Sequence, residues 1–383
     1  MMIIDVFFDP QSPYLWLLIL GILIGAIAVM IRPFTTFVRF SYPNAKFEAI
    51  GNPFVIKNNL QRYLEISDLQ TFVDQLNSQK DYTLKENTAS SIQSELDIIL
   101  FDTIQMMKKD SSKKMKSFYE TYTQLLDAHV LKTAFKQFIQ KQNIDEQLAQ
   151  KAKSSTLQHH LHLLSSTEPD QIGQTMKQLT YPDEFISHIT EPTDENDKAF
   201  LPLVIDAGID KILLNRLDQV TVPYKCTEAK QIFIKRIIDI QIIKHLLRAK
   251  QLSFSPDQCK QLLIKDGYEL PLWKQEELCQ AENIADIISR LEGTSYYQSL
   301  KQIDEKTTSS EPSAQHYTDA LDQLWLTLLK DLSMAHYSTI GPSLRFLEYK
   351  KQEIRNLKII TKGIAEHLPS SLISPLLIME ESS

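Results

Sequence analysis

The first feature in the hydrophobic pattern is an unbroken apolar run. From Pro13 to Ile31 the chain reads PYLWLLILGILIGAIAVMI, nineteen residues without a charge. Wound as a helix, it is about 28 Å long at ~1.5 Å per residue, close to the ~30 Å hydrocarbon core of a bilayer. Tyr14 and Trp16 stand where an interfacial aromatic belt belongs. Asp5 and Asp9 precede the run, whereas Arg32, Arg39, Lys46 and Lys57 follow it. The positive-inside rule then puts the N-terminus outside and the bulk of the chain in the cytoplasm. A cleaved signal peptide is the main competitor, because Ala26-Ile27-Ala28 resembles a small-residue cleavage site. Such a peptide carries basic residues ahead of its apolar run, and here there are acids. A buried core helix is the remaining alternative. The expectation is a single-pass anchor over residues 1–32, lying in the bilayer through residues 13–31. Gly21 and Gly25 form a small-xxx-small pair that lets another helix pack closely. Two small residues facing lipid is an equally simple reading of them.

After Arg32 the pattern turns helical almost throughout, broken by polar joints at Gly51-Asn52-Pro53, at Glu191–Asp197 and at Lys306–Gln315. The clearest helix runs from Thr227 to Leu252. Thr227 is its expected cap, and Ile232, Ile234, Ile237, Ile238, Ile242, Leu246 and Leu247 give it a broad apolar side. No stretch alternates apolar and polar positions long enough to demand a sheet, so the body is expected to be all-α.

Within this body one pattern recurs: acid-x3-aliphatic-Lys-x3-base. It runs Asp127, Leu131, Lys132, Lys136; then Asp239, Ile243, Lys244, Arg248; then Glu353, Leu357, Lys358, Lys362. The copies start 112 and 114 residues apart. One such match is common on amphipathic helices, but three at near-equal intervals indicate triplication. The period is too long for a solenoid of small repeats. The expected arrangement is three helical domains, residues 33–145, 146–256 and 257–383, around a pseudo-threefold axis. The bases Lys132/Lys136, Lys244/Arg248 and Lys358/Lys362 share a helix face in each copy. They are candidate partner contacts if the copies face one axis, and solvated helix faces otherwise.

Composition narrows the function. Glycine is scarce, 9 in 383, about a third of the ~7% usual in proteins, which disfavours phosphate loops and tight hairpins. The net charge of −7 argues against nucleic acid. The three cysteines, Cys226, Cys259 and Cys279, make no Cys-x-x-Cys and read as reduced cytosolic thiols. No Walker, zincin or nucleophile-elbow motif occurs. His159, His160 and His162 form the densest ligand group but lack further ligands at metal spacing. His245 is expected to be a satisfied core or groove residue. Nothing points to catalysis, a cofactor, a metal or a small-molecule substrate.

The segment Gly341-Pro342-Ser343 through Glu353-Ile354-Arg355-Asn356-Leu357-Lys358-Ile359-Ile360-Thr361-Lys362-Gly363 resembles the C-terminal signature of the C subunits of archaeal-type ATP synthases. Their vacuolar-ATPase counterpart is the d subunit. Lys358 replaces the signature's arginine. The helix Phe233–Arg248 is similar to the family's central acid-then-Leu-Leu-Arg helix, with Ile242 in place of an asparagine, and Phe37-Val38-Arg39 resembles an Arg-x-Arg that has lost its first arginine. The resemblance runs from Thr35 to the end. It implies a funnel of three similar helical domains that sits on the proteolipid rotor ring, holds the central shaft subunits and hydrolyses nothing. It also implies a soluble protein, so the apolar N-terminal helix reads as an addition to the family. The competing reading is a membrane-anchored helical scaffold or adaptor unrelated to ATPases.

Overall fold

The computed structural model describes residues 13–140, 144–191, 200–306 and 313–380. Asp5 and Asp9, nearly all of the 191–197 joint and residues 307–312 of the polar loop lie outside the described residues. The flanking helices end at Thr190 and Lys306 and resume at Leu201 and Ala314. The described chain is helical, and its β structure is limited to an isolated parallel bridge between Ile56 and Glu380. The protein is all-α, as its periodicity indicates.

Helix α1, Pro13–Ile50, is 38 residues long, or about 57 Å. Its apolar part, Pro13–Ile31, stands clear of the rest of the chain with none of its span buried. Its later part is packed: Phe40 and Phe47 are buried, and Phe47 stacks on Phe346 with ring centroids 5.2 Å apart. The helix stops where Gly51 takes φ +65° and donates its N–H to the Phe47 carbonyl, with Pro53 beyond it. A left-handed residue after the last turn is glycine's common place.

Three long hairpins follow. The first joins α2, Ala89–Asp110, to α3, Lys116–Leu126, and α4, Ala128–Ile139, which together make one nearly continuous rod. The second joins α5, Leu201–Gln219, to α6, Thr227–Gln251; the third joins α7, Ala314–Ala335, to α8, Gly341–Ala365. Each rod packs on the next in chain order, and α8 packs back on α2, so the six rods form a closed cycle. Helix α6 is buried on nearly every side, which is why it is apolar around most of its circumference. Thr227 is its first helical residue and not its cap. The 3-10 turn Tyr224–Cys226 leads directly into the helix, and no side-chain cap bond forms.

The turn end of the cycle is filled. Phe233 lies 6.4 Å from Phe118 and from Tyr122, and 5.7 Å from Trp325, between ring centroids. The Tyr122 hydroxyl and the Trp325 indole N–H both donate to the buried carboxylate of Glu348. The three cysteines are buried and unbridged, and burial pushes Cys226 up to about 11 and Cys279 up to about 12, so they remain thiols.

Candidate coupling interface

The acid that opens each recurring pattern is buried and grips backbone. Asp127 accepts from the N–H groups of Lys153 and Ser154 at 2.8 and 2.6 Å. Asp239 accepts from Tyr268, Glu269 and Leu270 N–H at 3.1, 2.9 and 3.2 Å, and from the Tyr296 hydroxyl at 2.8 Å. Glu353 accepts from Phe54 N–H at 3.0 Å and pairs with Lys350 Nζ at 3.0 Å. The first two acids hold segments further along the chain, whereas the third reaches back to its beginning. Asn356 reinforces that seam. Its side chain donates to the Phe54 and Ile378 carbonyls and accepts from Ile378 N–H, while Glu380 N–H donates to Val55. The two ends of the helical cycle are thus stitched together.

Burial pushes the Asp239 carboxyl up to about 6, against the pull of its amide donors, Tyr296 and Arg236. In the unfolded chain it titrates near 3.8, so the native state takes up this proton first as pH falls. The stability it contributes is complete below ~3.8 and is lost as pH rises through ~6. Relative to Asp239→Asn, the wild-type protein is expected to gain roughly 2 kcal/mol between pH 6 and pH 4. Urea melts of both proteins across that window check this; parallel pH profiles would refute it.

The lysine of each pattern crosses to the neighbouring rod. Lys132 on α4 meets Asp210 on α5 at 2.6 Å, Lys244 on α6 meets Asp322 on α7 at 2.6 Å, and Lys358 on α8 meets Asp97 on α2. The pairing therefore runs around the cycle and closes on itself. Motif reading missed these three acids, although a signal was there: Leu96-Asp97-Ile98-Ile99, Ile209-Asp210-Lys211-Ile212 and Leu321-Asp322-Gln323-Leu324 share aliphatic-Asp-x-aliphatic, spaced by 113 and 112 residues. Burial alone would raise Asp210, but Lys132 and His245 beside it hold it below the usual carboxylate range. His245 is a core residue whose Nε2 lies 3.1 Å from Asp210.

Of the other candidate bases, Lys136 forms a second rung on α5, 2.6 Å from Asp206. Arg248 is exposed, and Lys362 is exposed with Glu366 at 3.8 Å. A Cβ at Gly21 or Gly25 would meet nothing within 4 Å, leaving that face of α1 open. His160 turns inward to the Tyr181 hydroxyl at 3.1 Å, and burial pushes it down to about 4, while His159 and His162 face solvent. For Lys244→Glu, the new carboxylate faces Asp322 in a partly buried seam, and a loss of about 2 kcal/mol is expected. Adding Asp322→Lys should recover most of it in denaturant melts; an additive double mutant would show that the pair is not coupled.

Residues 43–375 match the family described as ATP synthase (C/AC39) subunit. The chain belongs to this family. It is 26% identical over 369 residues to the A-type ATP synthase C subunit of Methanobrevibacter smithii, covering 93% of both chains. To the protein of that name from Methanothermobacter thermautotrophicus it is 24% identical, covering 94% of both. As a member of the C/AC39 family it is a non-catalytic component of an A/V-type ATPase, a membrane-associated complex in which it works beside other subunits. An unrelated scaffold is thereby excluded. Residues 13–31 lie ahead of the family match, which begins at residue 43, while the match to the A-type ATP synthase C subunit of Methanosphaera stadtmanae, 25% identical, covers 97% of this chain.

Proposed function

We propose that this C/AC39 protein is the coupling piece between a proteolipid rotor ring and the central shaft of an A/V-type ATPase, built from three copies of one helical unit over residues 33–145, 146–256 and 257–383. The observation that carries this reading is the cyclic pairing of Lys132, Lys244 and Lys358 with Asp210, Asp322 and Asp97. A coupling piece must pass torque without shearing, and shear would act at the seams between units. Each seam is crossed by an ion pair at recurring positions, and the seam between the chain's two ends carries the added bonds of Glu353 and Asn356. Close-packed helices around these seams supply the stiffness. On this reading Lys132, Lys244 and Lys358 hold the body together, while Arg248 and Lys362, exposed towards the C-terminal ends of α6 and α8, face a partner.

The apolar half of α1 is the membrane span, with the N-terminus outside and the body in the cytoplasm. Because α1 continues without a break from Pro13 into the packed body, it would act as a retaining pin at the ring's hole, with Gly21 and Gly25 admitting a ring helix. A C-terminal tag, gentle detergent and mass spectrometry of the co-purifying proteins test the assignment. A ring-forming proteolipid recovered together with shaft subunits supports it, and recovery without either overturns it. Deleting residues 1–32 is expected to release the protein from salt-washed membranes. Full retention of the truncated protein would remove the pin.

A further inference from the structure

We propose that the turn end of the helical cycle is a lipid-facing collar around the base of α1, binding the phosphates of anionic phospholipid headgroups. The proposal rests on reading residues 13–31 as the bilayer span, and its test separates the two.

Two of the three hairpin turns contact α1 directly at one level, and the second lies beside them. Asn44 donates to the Thr339 and Tyr337 carbonyls at 2.8 and 3.1 Å, in the third turn. Lys46 pairs with Asp110 at 2.6 Å, at the entrance to the first. Cys226, in the second, is buried beside Ile340 of the third turn and within electrostatic reach of Arg39. The exposed side chains of these turns therefore surround the helix where it leaves the body. Three are cations, Lys113, Lys114 and Lys225, and Arg39 on α1 adds a fourth. Between them stand large exposed groups, Tyr224 at 92%, Tyr42 at 62%, Met334 at 61% and Tyr337 at 54% accessible.

Charge separates this end from the rest of the chain. Among its acids, Asp110 is paired with Lys46 and Glu120 with Lys108, while Glu48 accepts only from the neutral Tyr337 hydroxyl. Glu48, Glu228 and Asp331 are exposed, but with Lys109 and Lys116 also exposed the cations are in excess. The whole chain carries −7. Depth agrees as well. Arg39 lies eight residues beyond Ile31, about 12 Å along the helix, and the headgroup layer fills the first ~5–8 Å of that. An extended lysine side chain spans the remainder. A protein partner fits less well, because protein interface cores are depleted of lysine, whereas lysines beside a membrane attract acidic lipid by about fivefold each in binding. On the coupling reading these lipids fill the hole of the rotor ring.

The test uses the full-length chain reconstituted into vesicles of phosphatidylcholine alone or with phosphatidylglycerol. Flotation after alkaline carbonate reports insertion of α1. Amide hydrogen exchange at 111–117 and 221–227 reports the collar. Exchange there is expected to slow at least threefold with phosphatidylglycerol at low salt, and the effect should vanish in high salt and in Lys113→Glu/Lys114→Glu/Lys225→Glu. Lys→Gln at the same three positions, which removes charge without reversing it, should lose most of the protection. Equal exchange in both vesicles, with α1 inserted, would overturn the collar and leave the anchor standing. Phosphatidylglycerol-dependent protection without carbonate-resistant flotation would keep the collar and overturn the anchor. Protection that requires co-purified proteolipid and not acidic lipid would make this end a protein interface and defeat the proposal.

Discussion

Replacing Glu353 with alanine is expected to cost about 4 kcal/mol, because it strands a buried cation and a buried amide together. Lys350 is 2% accessible, and Glu353 is its anionic neighbour at 3.0 Å. What remains to its ammonium is the Tyr82 hydroxyl, to which it donates at 2.9 Å. The Phe54 N–H loses its acceptor at the same stroke. The damage should be local as well as global: hydrogen exchange at residues 53–56 should rise well before the hairpins open, since this is the seam that joins the chain's two ends. The pair Lys350→Met/Glu353→Leu offers a control. It removes both charges and keeps most of the volume, so it should recover all but the ~1–3 kcal/mol owed to the orphaned amide. Urea melts that place the double variant as low as Glu353→Ala would show that the lost charge pair is not the cause.

Gly267→Ala should be nearly as damaging, and for a different reason. A Cβ at this position would sit 1.7 Å from Asp239 Oδ1 and 3.1 Å from the Leu270 carbonyl. The carboxylate has no room to swing away, since its oxygens are fixed by three amides and the Tyr296 hydroxyl. The loop must lift off α6 instead. Asp239→Ala leaves the same amides without an acceptor, and each single change is expected to cost on the order of 3–5 kcal/mol. The two should be strongly sub-additive: once Asp239 is gone the methyl meets no carboxylate, so the double variant should be close to Asp239→Ala alone. Additive losses in denaturant melts would mean that the glycine serves something other than this close approach.

Much of the architecture is written in local pattern. The apolar run, the helical period of 227–252 and the interval between Asp127, Asp239 and Glu353 are all properties of short windows. What those acids hold is not. Asp127 and Asp239 bond amides some 26–31 residues away, and no side chain in the receiving segment marks it, because a backbone N–H has no sequence signature. The lysine partners are a different case. Asp97, Asp210 and Asp322 recur with their aliphatic neighbours, but the tetrad is too short to stand out until its partner lysines are known. Thr227 shows the opposite failure: a good capping residue was present, and the preceding turn made the cap unnecessary. The resemblance to the C/AC39 family was readable in the helix around Glu353 because its signature residues are the buried ones. Glu353, Asn356 and Leu357 are each wholly enclosed.

The stitch between the chain's ends also sets a timetable for synthesis. Phe54 and Glu353 are 299 residues apart, and Asp97 and Lys358 are 261 apart. At ~5–20 residues per second a ribosome needs on the order of 15–60 s to cover either interval. Throughout that time the stripe of Ile92, Leu96, Leu100 and Ile104 on α2 lacks α8, the last rod to be made. If α1 is already in the bilayer by then, the nascent body waits as a tethered, open chain of hairpins. The ring closes only after translation ends, and the tether keeps its first and last segments within reach of each other.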